Sequence, residues 1–285
     1  MAAGTNPAAF SLNGGEREIV LRVRIFYYQN RETMTQTNEV SQSKRFQFAR
    51  IPEVLLHPQR TFASIAEGSR ASWQTPMLAL SISTALSVIV SGYLTARAAM
   101  MGEMQLPRDW EWWTPDMQNN YMQAQQSMQG PVFTYVIPLV GALLGLWLGW
   151  LILGGLLHFG STIFGGRGSM QGALTITGWA SLPFLVRDAL RIIFMLMAGH
   201  SIQSPGLSGF VENSPFAAQL LSRIDIFLIW TILLLILGVG AVDSLPRPKA
   251  IANVVIVTLL LLLLQSGVGA LFSGASGLAV QRPFF

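Results

Sequence analysis

The stretch FGGRGSMQGALTITGWASLPFLVRDALRIIF, residues 164–194, poses the central problem of this chain. It opens with a Gly-Gly-Arg-Gly-Ser turn and continues as a long, mostly apolar segment. Inside that segment sit Pro183 and three charges, Arg187, Asp188 and Arg191. The other long apolar runs are nearly free of charge. An ionisable side chain within a membrane-crossing segment needs a partner or a task.

Composition places the chain in the membrane class. Of its 285 residues, 51% are hydrophobic and 11% charged, against roughly a quarter charged in soluble domains. The mean hydropathy is +0.46, and several apolar runs are long enough to cross a bilayer as helices. Runs such as TLLLLLLQ do not alternate, which excludes outer-membrane strands. The absence of cysteine removes disulfides, zinc–thiolate sites and cysteine nucleophiles. The formal charge of +4 comes from basic residues flanking apolar segments, a pattern that orients a membrane protein and does not point to nucleic acid.

Working outward, five spans are expected, at about 76–96, 132–157, 170–198, 224–242 and 250–272. The fold class is therefore all-α, a polytopic bundle of five transmembrane helices. Residues 1–49 form a polar extension, 50–273 the membrane domain and 274–285 a short tail. Within the extension, Ile19, Val20, Leu21, Val23, Ile25 and Phe26 could make a short strand; alternatively residues 1–33 are upstream sequence and Met34 is the functional start. RIPEVLLHPQRTFASIAEG, residues 50–68, reads as a kinked segment lying at the membrane surface with its apolar face down. Trp110, Trp112 and Trp113, in the polar loop 100–131, suit headgroup level.

Lys44, Arg45, Arg50, Arg60, Arg70, Arg167, Arg247 and Lys249 fall on one side of this arrangement, facing only Arg97, Arg108, Arg223 and Arg282. The positive-inside rule then puts the N-terminus in the cytoplasm and the C-terminus outside, in the cell membrane. Gly141, Gly145 and Gly149 recur every four residues on the second span and would let another helix approach closely, in this bundle or in a second copy.

In the third span, Arg187 and Arg191 share a helix face, and Asp188 is placed to pair with Arg191. Asp225 enters the fourth span from the same outer side and is expected to face the two arginines. These four residues are either a packing device or a polar site for an anionic substrate or headgroup. Asp243 sits at a helix end, where a wet turn accounts for it. No catalytic, metal or cofactor residues are identified. Gly274-Ala275-Ser276-Gly277 matches an intramembrane serine protease motif, but His57, His158 and His200 all precede it and no room remains for a downstream base. GGRGS lacks the lysine and spacing of a phosphate-binding loop.

The order of these pieces resembles the Yip family, membrane proteins named for interaction with Ypt/Rab GTPases. The resemblance rests on Leu55, Pro58, Thr61, Phe62 and Ile65, then on Trp73 and Pro76. It continues through FGG.GS and GWASLP (Phe164 to Ser169, Gly178 to Pro183), IDIF.IW from Ile224, and Lys249-Ala250. It implies a five-span bundle with a cytoplasmic N-terminus. The acidic-aromatic D-L-Y-G-P motif that precedes the spans of eukaryotic members has no counterpart here, so Rab binding does not carry over from the resemblance. The expected function is that of a non-enzymatic scaffold that contacts the bilayer and a membrane-protein partner or a second copy. The alternative is a small transporter or channel component built on Arg187, Asp188, Arg191 and Asp225.

Overall fold

The computed structural model describes residues 46–67, 72–102, 106, 110–128, 130–202, 206–211 and 214–277, with side chains up to residue 271. The expected strand at 19–26, the start at Met34 and the Ser276 side chain lie outside the described residues. Every regular element described is helical: α1 (Arg50–Leu56), α2 (Pro58–Ala66), α3 (Gln74–Met100), α4 (Pro115–Met128), α5 (Ile137–Ile163), α6 (Met170–Ala180), α7 (Leu182–Ala198), α8 (Pro215–Leu221), α9 (Ile226–Val242) and α10 (Arg247–Gly277). A π turn, Val132–Val136, runs directly into α5.

Three helices are long and apolar enough to cross a membrane: α3, the Val132–Ile163 rod containing α5, and α10 through Leu271. The pair α8 and α9, bent by 62°, makes a fourth if it is one span. The stretch expected as the third span is not among them, because it divides at Ser181 into α6 and α7. Pro183 has no N–H to offer the preceding turn, so the helix restarts there. Five spans require α6 and α7 together to cross as well.

Helix α6 lies at the centre, packed on α5 and α9. Ile176, Trp179 and Ala180 have no exposed surface, and Thr177 is as deeply buried. Its hydroxyls stay satisfied in this apolar setting by bonding back one turn: Thr175 Oγ1 donates to Gln171 O and Thr177 Oγ1 to Ala173 O, each at 2.8 Å. Around it, α7 packs on α3, α5 packs on α3 and α10, and α9 packs on α2 and α10.

The segment expected at the membrane surface is kinked at His57, with Pro58 opening α2. Its apolar face is turned into the protein instead. Val54 and Phe62 are fully buried and join Ile176, Leu235 and Val239 in one core, while Glu53, His57 and Arg60 face outward. Gly238 on α9 makes this possible, since a Cβ there would stand 3.3 Å from the Phe62 ring and collide with Ile176. Covering each large apolar side chain contributes about 1.5–3 kcal/mol, which helps draw the wedge into the core. The polar loop also differs from expectation, since it contains α4. Trp110 and Trp113 pack with Tyr121 at ring separations of 5.5–5.6 Å, leaving Trp112 exposed.

Close helix approaches run through Gly92, Gly154, Gly178 and Gly238. At Gly141, Gly145 and Gly149 no atom from another described element comes within 4 Å of where a Cβ would stand. Gly145→Ala is therefore expected to leave thermal stability unchanged or raise it, by up to about 1 kcal/mol from helix propensity. Gly238→Ala is expected to lower it by about 1–3 kcal/mol through overpacking. Thermal melts of the two purified variants check this, and a loss at Gly145 matching that at Gly238 would refute the packing described.

Candidate functional site

Asp225 is the N-cap of α9. Its backbone is extended, and its Oδ1 accepts the Leu228 N–H at 2.8 Å. Capping fixes the carboxylate at the bend between α8 and α9, and its second oxygen is left facing α7. Arg187 Nη1 and Arg191 Nη2 each lie 3.7 Å from Asp225 Oδ2. The two arginines stand one turn apart on α7, so a single carboxylate on α9 can meet both.

Asp188 points the other way, toward α3. Its Oδ2 accepts the Ser83 hydroxyl at 3.2 Å, and Arg187 Nη2 approaches its Oδ1 at 3.4 Å. The Arg187 guanidinium also lies over the Phe184 ring, 4.5 Å from the centroid. The acidic side chains are the more deeply placed, 10% and 14% exposed for Asp188 and Asp225, against 25% and 29% for Arg187 and Arg191. Two positive and two negative charges thus meet around α7, with α3 on one side and α9 on the other. On insertion scales each would cost about 2.5–3.5 kcal/mol alone at a span centre.

All four residues singled out in the sequence come together, with one difference in pairing. Asp188 pairs with Arg187 and Ser83, not with Arg191, because the Ser83 bond turns it away from the face that the arginines share. Ser83 supplies the polar partner on the first span that sequence reasoning missed. It is one of several serines there, among them Ser81, Ser87 and Ser91, and spacing alone does not select it.

A second buried polar group sits at the other end of α9. Asp243, expected in a wet turn, is 1% exposed. The GGRGS loop folds over it: Arg167 N–H donates to Asp243 O at 3.2 Å, and Lys249 Nζ to Phe164 O at 2.9 Å. Gly166 and Gly168 press so closely on Ser161 and the Asp243 carboxylate that neither position has room for a Cβ. The turn glycines are thus explained by close approach. Burial pushes the Asp243 carboxyl up from its ordinary value, while Ser161 and His158 nearby hold it down.

The two carboxylates predict opposite behaviour. Asp225→Asn keeps a capping oxygen but removes the charge, leaving Arg187 and Arg191 with Asp188 alone. Thermal unfolding in detergent is expected to show a loss of about 1–3 kcal/mol. Folded Asp243 binds its proton more tightly than the unfolded chain does. Wild-type stability relative to Asp243→Asn should therefore fall as pH rises from about 4 through the raised folded value. Equal melts for wild type and Asp225→Asn, or a difference that rises with pH at Asp243, would contradict these assignments.

The chain is 39% identical over 67 residues to the "Uncharacterized protein MJ0794" of Methanocaldococcus jannaschii, a match covering 24% of this chain and 48% of that protein. The chain thus spans about half the length of this relative, whose name assigns no activity. No solved structure matches. The Yip1 domain profile matches residues 53–268, running from the buried wedge helix α1 through most of α10. The chain is a multi-pass membrane protein that belongs to the Yip1 domain family.

Proposed function

We propose that the protein is a non-enzymatic, membrane-organising or partner-binding scaffold, and that α6 and α7 together complete five spans. In this arrangement the N-terminus is cytoplasmic and the C-terminus lies outside, in the cell membrane. The observation that carries the reading is the mutual pairing of Arg187, Asp188, Arg191 and Asp225. A binding site for a charged substrate keeps a charge for the substrate to complete, whereas these four complete one another at 3.4–3.7 Å. The faces left for partners are the exposed apolar surface of α5, which includes Gly141, Gly145 and Gly149, and the outward polar side of α1 and α2.

The scaffold reading treats the cluster as architecture, so charge itself is dispensable once both signs are removed. A variant combining Arg187→Gln, Asp188→Asn, Arg191→Gln and Asp225→Asn is expected to insert, fold and co-purify from native membranes with the same membrane proteins as wild type. A folded variant that retrieves none of them, or wild type that retrieves nothing, would overturn the scaffold in favour of a working polar site.

Because the chain has no cysteine, orientation is open to a direct test. Ser127→Cys is expected to react with a membrane-impermeant maleimide in intact cells, and Glu67→Cys only after permeabilisation. The reverse pattern would invert the proposed topology.

A further inference from the structure

Arg223 lies in the short break between α8 and α9, two residues before the cap at Asp225. It differs from the other arginines at this end of the bundle. Arg187 and Arg191 face Asp225, and Asp188 faces Arg187, which makes that group neutral. Among the described residues no carboxylate lies within ion-pair distance of Arg223. Among the described residues its guanidinium makes one hydrogen bond, Nη1 donating to Gln265 Oε1 on α10 at 2.8 Å. Its Nε is buried with no acceptor. Among the described residues three guanidinium groups and two carboxylates therefore occupy this end of α7 and α9, and one positive charge is left over.

An arginine beside hydrocarbon with only a neutral amide for company is an incomplete site. Guanidinium presents a fork of N–H donors that matches phosphate oxygens in pairs, and the Gln265 contact holds that fork in place. The inference rests on the five-span arrangement proposed above: there α9 crosses the membrane, so the bend that opens it lies at the end of that crossing, where headgroup phosphates run. We propose that Arg223, oriented by Gln265, binds the phosphate of an anionic membrane phospholipid at the bend between α8 and α9. The lipid's net negative charge balances the surplus cation. Its acyl chains lie along the exposed apolar sides of the bundle.

The test is native mass spectrometry of the full-length protein in micelles, titrated separately with phosphatidylglycerol and phosphatidylcholine. Wild type is expected to prefer phosphatidylglycerol by about tenfold, which is about 1.4 kcal/mol. Arg223→Gln should erase the preference, Arg223→Lys should keep part of it, and Arg247→Gln, at an exposed position on α10, should keep all of it. Millimolar inorganic phosphate should not displace the lipid; complete displacement would reassign the site to a free anion and overturn the lipid. Equal retention of the two lipids by wild type, or an unchanged preference in Arg223→Gln, would refute the site. Should Arg223→Gln fail to fold, a phosphatidylglycerol carrying a photoreactive headgroup decides the matter on wild type. Adducts within residues 215–226 or 265–271 support the site, and adducts confined elsewhere overturn it.

Discussion

A carboxylate that caps one helix and faces two arginines on another is the contact on which this end of the bundle depends. Asp225 performs both tasks because its two oxygens are used separately: Oδ1 takes the Leu228 N–H of α9, and Oδ2 lies 3.7 Å from Arg187 and from Arg191. Capping without charge would leave α7 with two arginines and one aspartate in a low-dielectric setting. Charge without capping would leave the carboxylate free to turn toward water. Together they fix the rotation of α7 about its axis, and that rotation sends Asp188 toward Ser83 on α3. Polar contacts thus tie α7 to α3 on one side and to α9 on the other, whereas the apolar core supplies most of the burial.

The opposite end of α9 uses a different device with a similar result. There the glycine loop closes on Asp243, and close backbone approach takes the place of ion pairing. Between the two ends, α6 is buried among α5, α9 and the wedge of α1 and α2. The short helices before the first span are thus part of the folding core. Phe62 against Gly238 links the chain's beginning to its fourth expected span, and the match to the Yip1 domain begins at Glu53, inside that wedge.

Much of this was legible in the sequence. The apolar runs mark where α3, α5, α9 and α10 lie, because a long apolar stretch leaves an unbroken signal. The four charges were legible because charge within such runs is rare. The break at Ser181 is less so: the length of the segment and Pro183 mark a disturbance without saying whether the helix tilts, kinks or turns out along the outer interface. The wedge was read with its apolar face toward lipid because amphipathicity shows that a face is covered and not what covers it. The glycines of α5 satisfied a packing pattern while the contacts ran through Gly154 and Gly178, which belong to no repeat. Asp243 was misjudged because its burial depends on a loop some 75 residues earlier, and no local pattern carries that information.

Asp225 and the arginines either stabilise each other or merely lie nearby. A double-mutant cycle on Arg191→Gln and Asp225→Asn, read by thermal unfolding in detergent micelles at low salt, isolates that term. Coupling of about 1 kcal/mol or more, shrinking as salt is raised, is the predicted result. Strictly additive effects of the two substitutions would contradict the central claim.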